Sequence, residues 1–208
     1  MTDRAQALGE YGSANVSDAL RSLGKHFQAM DGGIRPVTPS ARAAGPAFTV
    51  RCFPGATFAL ERALELAKPG DVLVVDGGGH ADLILMGGLM SQRAHHRGIA
   101  GAVLDAAVRD IEDIAALGFP VFSRYICPRA GTFAEIGEWQ EVICCGRAPV
   151  RPGDWIVADQ NGVVVIPIEL LDETVRVAGE VHTREAGIRR GLDAGRTLAD
   201  AASATART

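Results

Sequence analysis

Lysine is almost missing from this chain, with Lys25 and Lys68 its sole examples among 21 basic residues. The formal charge is −4 and no run of Lys or Arg clusters, so a broad basic face for nucleic acid is excluded. Aromatic residues make up 5% of the chain, too few and too scattered for a base-stacking platform. The cysteines, Cys52, Cys127, Cys144 and Cys145, show no C-x-x-C spacing. The vicinal pair therefore reads as packing within a strand rather than a disulfide or zinc site. No apolar run approaches the roughly 20 residues of a membrane span. The N-terminus lacks the basic-then-apolar order of a signal peptide. A cytoplasmic, reduced protein with no membrane partner is the expectation.

What the chain has in quantity is glycine and aliphatic side chains: 25 glycines, and 47% apolar residues overall. Its 208 residues suffice for one domain with a real core, or one domain and a small appendage. That composition suits tightly packed α/β layers.

Taken in order, Ser13 to Leu23 carries Val16, Ala19, Leu20 and Leu23 on one helical face and ends at Gly24. Asp18 falls on its polar side, where a solvent-facing acid is the plain reading. Gly32, Gly33, Pro36 and Pro39 mark an irregular connection. Ala47 to Phe53 reads as a strand beginning after Gly45-Pro46, and Thr57 to Lys68 as a helix broken by Pro69-Gly70. Asp71 to Asp76 holds a continuous Val-Leu-Val-Val run of the kind buried on both faces of a sheet. The following Gly77-Gly78-Gly79-His80 fails the dinucleotide spacing, since the third glycine position is Asp82. A tight turn is expected there in preference to a nucleotide or S-adenosylmethionine site. Asp82 to Arg97 reads as helical, with a break possible at Gly87-Gly88. A helix starting afresh at that point leaves the amides near Leu89 and Met90 as unpaired donors, an anion site without a side chain. Close helix packing is the alternative use for these glycines.

Val121 to Ser123 continues the alternation, and Glu138 to Cys145 and Trp155 to Ala158 read as strands. Asp159-Gln-Asn-Gly162 predicts a hairpin turn into Val163 to Ile166. Pro69-Gly-Asp before one strand is echoed by Pro152-Gly-Asp before another, which suggests reused turn chemistry. Leu170 to about Leu192 forms a polar helix whose thin stripe of Val175, Ala178 and Val181 predicts packing elsewhere in an assembly. The division expected is one α/β domain over 1–196 and a polar, frayed tail over 197–208.

The centre of the chain is Gly101-Ala-Val-Leu-Asp105, a buried strand, followed by Arg109-Asp110-Ile111-Glu112-Asp113. From Arg109 the spacing turns helical, and Gly118 and Pro120 stop it. On a helix Asp110 and Asp113 stand i and i+3, so two hard oxygen donors can converge on a Mg or Mn ion. Arg109 beside them offers a fork for a carboxylate or enolate. Equally, acids in a first helical turn favour the positive end of the dipole with no further purpose.

These motifs together resemble the RraA-like family, which includes the 4-hydroxy-4-methyl-2-oxoglutarate aldolases, class II pyruvate aldolases. The similarity runs from Ser13-Ala-Asn-Val-Ser-Asp-Ala-Leu20 through Gly45-Pro-Ala-Phe-Thr-Val50 and Pro69 to Gly77, to Gly88, Arg109-Asp110 and Asp113. The resemblance implies a swivelling β/α/β-type fold in one domain, assembled as a trimer or a pair of trimers with active sites between subunits. It implies Asp110 as ligand to Mg or Mn and Arg109 as the group holding the enolate. The amides of Gly87, Gly88, Leu89 and Met90 would receive a 2-oxo acid's carboxylate. Asp18, and Glu185 from an adjacent subunit, are the positions nominated for proton transfer. No Schiff-base lysine lies in the matched motifs. Position 88, acidic in many members, is glycine here, and Asp113 is the candidate replacement. Asp105-Ala-Ala-Val-Arg-Asp110 also lacks a glycine common at its second place. Metal-dependent cleavage of a 4-hydroxy-2-oxo acid, with oxaloacetate decarboxylation beside it, is the implied activity. The competing expectation is a non-catalytic regulator that binds and inhibits ribonuclease E.

Overall fold

A computed structural model describes residues 3–205. In chain order these form α1 (Asp3–Ser22), β1 (Arg35–Pro36), β2 (Ala43–Arg51), α2 (Phe58–Leu66), β3 (Val72–Met86), α3 (Gly88–His96) and β4 (Gly101–Val108). There follow α4 (Ile111–Leu117), β5 (Val121–Ile126), β6 (Glu138–Trp139), β7 (Ile143–Cys145), β8 (Ala148–Val150), β9 (Trp155–Asp159), β10 (Gly162–Ile166), α5 (Leu171–Asp193) and α6 (Leu198–Thr205). The apolar runs β5, β4, β3 and β2 lie side by side as parallel neighbours. Beyond β2 the antiparallel pair β9 and β10 extends the sheet, β1 closes the far edge, and β7 and β8 form a separate hairpin. The α/β expectation holds, with a mixed sheet.

Period-2 alternation sorts the layers. Ala102, Leu104, Ala106 and Val108 of β4 join Leu60 and Leu64 of α2 and Ile114 of α4 in one core. Val103 points the other way, toward Cys145, Val150 and Ile156. A third core places Leu8, Val16 and Leu20 of α1 and Ala178 of α5 against Trp155 and Val164. Truncating a large side chain in such a core costs about 2–5 kcal/mol. The surface pairs Arg176–Glu180 and Arg189–Glu185 on α5 contribute about 0.3–0.5 kcal/mol each. Burial therefore seats α5, and it seats it on α1 of the same chain, where an assembly contact was expected.

Several boundaries differ from the sequence reading. Helix α1 starts ten residues before Ser13, across a kink at Gly12. Strand β2 includes Gly45-Pro46, because Ala43–Pro46 pair with β9 before Ala47–Arg51 pair with β3. Strand β3 does not end in a tight turn at Gly77–Gly79; it runs to Met86 through register shifts, with Asp76, His80, Ile84 and Met86 opposite Asp105, Ala106, Ala107 and Val108. Helix α3 is accordingly short and begins at Gly88. The expected frayed tail is helix α6 from Leu198 to Thr205, with Ala201 buried and set close to Gly191 of α5. Residues 206–208 lie outside the described part. All four cysteines are free; burial pushes the Cys52 thiol up to about 12, in keeping with a packing role.

The two Pro-Gly-Asp turns are built alike. Asp71 N–H donates to the Lys68 carbonyl and Asp154 N–H to the Arg151 carbonyl, with positive φ at Gly70 and Gly153, as a type II turn requires. In each, the Asp carboxylate then accepts the amide at the turn's start, Lys68 at 2.7 Å and Arg151 at 2.9 Å.

The predicted hairpin joins β9 to β10 with Asp159 opposite Gly162, and Asp159 does a second job. Its carboxylate accepts Ser13 N–H at 2.8 Å, Ser13 Oγ–H at 2.7 Å and Asn161 N–H at 2.8 Å, restarting α1 after the kink. Burial pushes this carboxyl up, but the Ser13 and Asn161 donors outweigh it and hold it below the usual range. A depressed carboxyl stabilises the fold fully above its unfolded value, near 3.8, and loses that contribution as pH falls through its lower folded value. Asp159→Asn is expected to cost about 1–2 kcal/mol at neutral pH. In denaturant titrations the gap from wild type should stay constant from pH 7 down to about 5 and narrow below about 4.

Candidate active site

The ladder brings Met86, Val108 and Ile126 abreast at the carboxyl edge of β3, β4 and β5. Arg109 N–H donates to the Met86 carbonyl at 3.2 Å and Cys127 N–H to the Val108 carbonyl at 3.0 Å. The next residue of each strand therefore emerges side by side: Gly87, Arg109 and Cys127. In open α/β sheets this edge is where ligands bind.

Arg109 and Asp110 are not in a first helical turn, as the spacing had suggested. Asp110 caps α4 in the left-handed region, at φ 59° and ψ 44°, a conformation costing about 1 kcal/mol that a short polar side chain tolerates. That twist turns its carboxylate back onto α3, where Oδ2 accepts the Gly88 N–H at 2.9 Å. Asp113 lies in the first turn of α4. Both acids crowd the two glycines. A Cβ on Gly87 would come within 2.7 Å of Asp110 Oδ2, and one on Gly88 within 3.1 Å of Asp113 Oδ2 and 3.3 Å of Asp110 Cβ. Glycine at 87 and 88 is what lets the two carboxylates approach the start of α3.

The Gly88 amide is thus already taken by Asp110, which alters the expected anion site. The Leu89 and Met90 amides, second and third in α3, have no acceptor among the described residues. Arg109 Nε is enclosed and makes no hydrogen bond; the nearest acid oxygen, Asp110 Oδ2, stands 3.5 Å away. Among the described residues no group of three or more His, Cys, Asp or Glu gathers at a point. The residues here that could hold a cation are Asp110 and Asp113, a pair of carboxylates of the kind that Mg accepts while keeping several waters.

Arg109 and Asp110 open on a cleft of about 290 Å³ whose other walls are Ile126, Cys127 and Pro128. Sequence reading missed those three, because the parallel pairing of β4 with β5 creates the contact and no motif announces it. Behind the ladder, Asp105 accepts the Gly146 N–H at 2.9 Å and the Arg124 Nε–H, and Arg124 reaches Asp31 at 3.3 Å. The Asp105 hydrogen bond lifts the Arg124 guanidinium above its ordinary value, while the Gly33 amide, with Arg124 and Arg147 nearby, lowers the Asp31 carboxyl. Ser123 Oγ–H donates to the Ala106 carbonyl at 2.7 Å, bracing β4 on β5 where their register shifts.

Asp18 and Glu185 do not reach this cleft in one chain. Asp18 lines a separate hollow between α1 and α5 with Glu180 and Arg184, 3.9 Å from Arg21. Glu185 pairs with Arg189 at 3.2 Å on α5. A wider hollow of about 610 Å³ at the opposite edge of the sheet is lined by Ala43, Pro46, Pro69 and Trp155 among others. Its lining carries no acid or imidazole, and its Arg42 donates to the Gly9 carbonyl.

The family model described as RraA-like, Aldolase/RraA, matches residues 13–165. A relative from Halalkalibacterium halodurans, provisionally named 4-hydroxy-4-methyl-2-oxoglutarate aldolase, is 40% identical over 152 residues, 73% of this chain and 70% of that one. Among solved structures, an uncharacterised protein from Pseudomonas syringae superposes with a TM-score of 0.82 at 30% identity, covering 97% of this chain and 99% of that one. Streptomyces coelicolor RraAS2, described as an unusual member of the RNase ES inhibitor RraA family, gives 0.83 at 28% identity, covering 91% and 98%.

Two variants separate Asp110's place in the backbone from its charge. Asparagine tolerates the left-handed conformation and can still accept the Gly88 amide, so Asp110→Asn should unfold within a few degrees of wild type. Asp110→Ala, losing both features, should be less stable by about 1–2 kcal/mol while keeping the same far-ultraviolet circular dichroism.

Proposed function

Because this chain belongs to the RraA-like family, we propose that it is a divalent-metal-dependent lyase. Its reaction is cleavage of 4-hydroxy-4-methyl-2-oxoglutarate, or a related 4-hydroxy-2-oxo acid, to pyruvate, with oxaloacetate decarboxylation as a second activity. The observation that carries this reading is the ion pair of Arg109 with the Asp110 carboxylate at the sheet's carboxyl edge, 3.5 Å apart and with no hydrogen bond made by Arg109 Nε.

Breaking a carbon–carbon bond beta to a ketone leaves pyruvate enolate, whose negative charge must be held. A Mg or Mn ion supplies Lewis-acid stabilisation of that charge when bound, and Asp110 and Asp113 are the residues to hold it. Arg109 offers a fixed guanidinium to the same oxygen. The Leu89 and Met90 amides receive the substrate carboxylate at the positive end of α3. Lys25 and Lys68 lie outside the site, so no Schiff base is invoked. Proton transfer falls to Asp18 or Glu185 of a neighbouring copy, since neither reaches the cleft within its own chain. That assignment requires an assembly, a trimer or a pair of trimers. The proposed substrates are small 2-oxo acids and the proposed compartment is the cytoplasm; no helix among the described residues is long and apolar enough to cross a membrane.

The likeness to a ribonuclease inhibitor family favours one rival, a regulator that binds ribonuclease E and has no turnover. Pyruvate release from oxaloacetate, measured with Mg, without it, and after EDTA, divides the two readings. The lyase reading expects Mg-dependent release abolished by EDTA; tight ribonuclease binding with no metal-dependent pyruvate supports the regulator. Arg109→Ala should lower kcat on the order of a hundredfold or more. Asp110→Ala should abolish metal-dependent turnover. Wild-type rates in either variant would refute these assignments.

A further inference from the structure

Ser123 is a polar residue that the proposed chemistry leaves unused. It is 4% exposed, in a strand whose other buried positions, Val121 and Phe122, are apolar. A hydroxyl in such a place costs free energy unless it is bonded. This one lies between two carbonyls, donating to Ala106 at 2.7 Å with Tyr125 at 3.1 Å. Those carbonyls flank an irregularity in the ladder. Leu104 pairs with Ser123 and Ala107 with Tyr125, so Asp105 and Ala106 of β4 together oppose Arg124 alone. Two residues against one make a β-bulge. Even pairing onward from Leu104 would set Val108 beside Cys127 and Arg109 beside Pro128. The extra residue instead sets Val108 beside Ile126. It draws Arg109 back by one residue, about 3.3 Å, to stand level with Cys127 and Gly87. On the β3 side a glycine gives the bulge room: a Cβ at Gly77 would stand 2.7 Å from Ala106 Cβ and 3.1 Å from the Asp105 carbonyl oxygen.

We infer that Ser123 is a positioning residue: through the Ala106 carbonyl its hydroxyl holds the β4 bulge closed, and the bulge holds Arg109 at the height where it meets developing charge. This rests on the lyase reading and adds to it a residue that touches no ligand. The bonds concerned lie inside one chain, so they hold whichever copy completes the cleft. Arg109 acts on charge that appears in the transition state, so a loosened bulge lowers kcat more than it raises KM.

Ser123→Ala removes the hydroxyl and Ser123→Thr returns one. Turnover is read as Mg-dependent pyruvate release from oxaloacetate, with kcat expressed per folded molecule from circular dichroism at the assay temperature. Ser123→Ala should lose about tenfold in kcat with KM changed by less than about twofold, and Ser123→Thr should recover most of the loss. Amide hydrogen exchange, followed by NMR without metal or substrate, gives a second readout at Arg109 and Cys127, whose N–H groups bond across the rung. Both should exchange about tenfold faster in Ser123→Ala, while Val157 in β9 keeps its wild-type rate. A wild-type kcat per folded molecule in Ser123→Ala, or unchanged exchange at Arg109 and Cys127, overturns the inference. So does an equal rise in exchange at Val157, the mark of a general loss of stability. Absence of Mg-dependent pyruvate from wild type, seen before any variant is made, strikes the lyase reading and the inference with it. Normal wild-type turnover with an unaffected Ser123→Ala strikes the inference alone.

Discussion

Three strand ends standing level is the constraint from which the site follows. Met86, Val108 and Ile126 share a rung of the parallel ladder, so the chain leaves the sheet at one height in three adjacent places. A slip of one residue in β4 would turn Arg109 to the opposite face and carry Asp110 away from α3. The partly buried cluster of Asp105, Arg124 and Asp31, with the Ser123 hydroxyl, binds β4 to β5 just below that rung. Each charge in it is paired as it leaves part of its water, the condition under which a half-buried charge can serve as a fixed pin.

How much of this was readable beforehand depended on whether local chemistry decides the structure. The β2, β4 and β5 runs, the β9–β10 hairpin and the paired Pro-Gly-Asp turns were legible, because burial pattern and turn residues act over a few positions. The course of β3 was not. Gly77–Gly79, His80 and Asp82 lack strand propensity, and it is pairing with β4, helped by the Ile84 N–H donating to the Arg129 carbonyl, that keeps the segment in the sheet. Helix α6 was missed for a similar reason: its Ala201 is small and unremarkable until Gly191 offers it a seat.

The site divides the same way. Arg109, Asp110 and Asp113 drew notice by spacing, yet the helix assumed for them was wrong for the first two. The left-handed φ of Asp110 is what aims the carboxylate, and nothing in a string of letters states it. Leu89 and Met90 fell where a glycine pair predicted a helix start. Gly88 did not keep a free amide, because Asp110 satisfies it.

The tight fit between Gly88 and Asp113 has a consequence for how this site can change over time. A Cβ added at 88 would stand 3.1 Å from an Asp113 carboxylate oxygen and 3.2 Å from its Cβ, so any larger residue there has to press the Asp113 side chain aside by a few tenths of an ångström. Drift at one position is therefore felt as a small reorientation of the acid at the other.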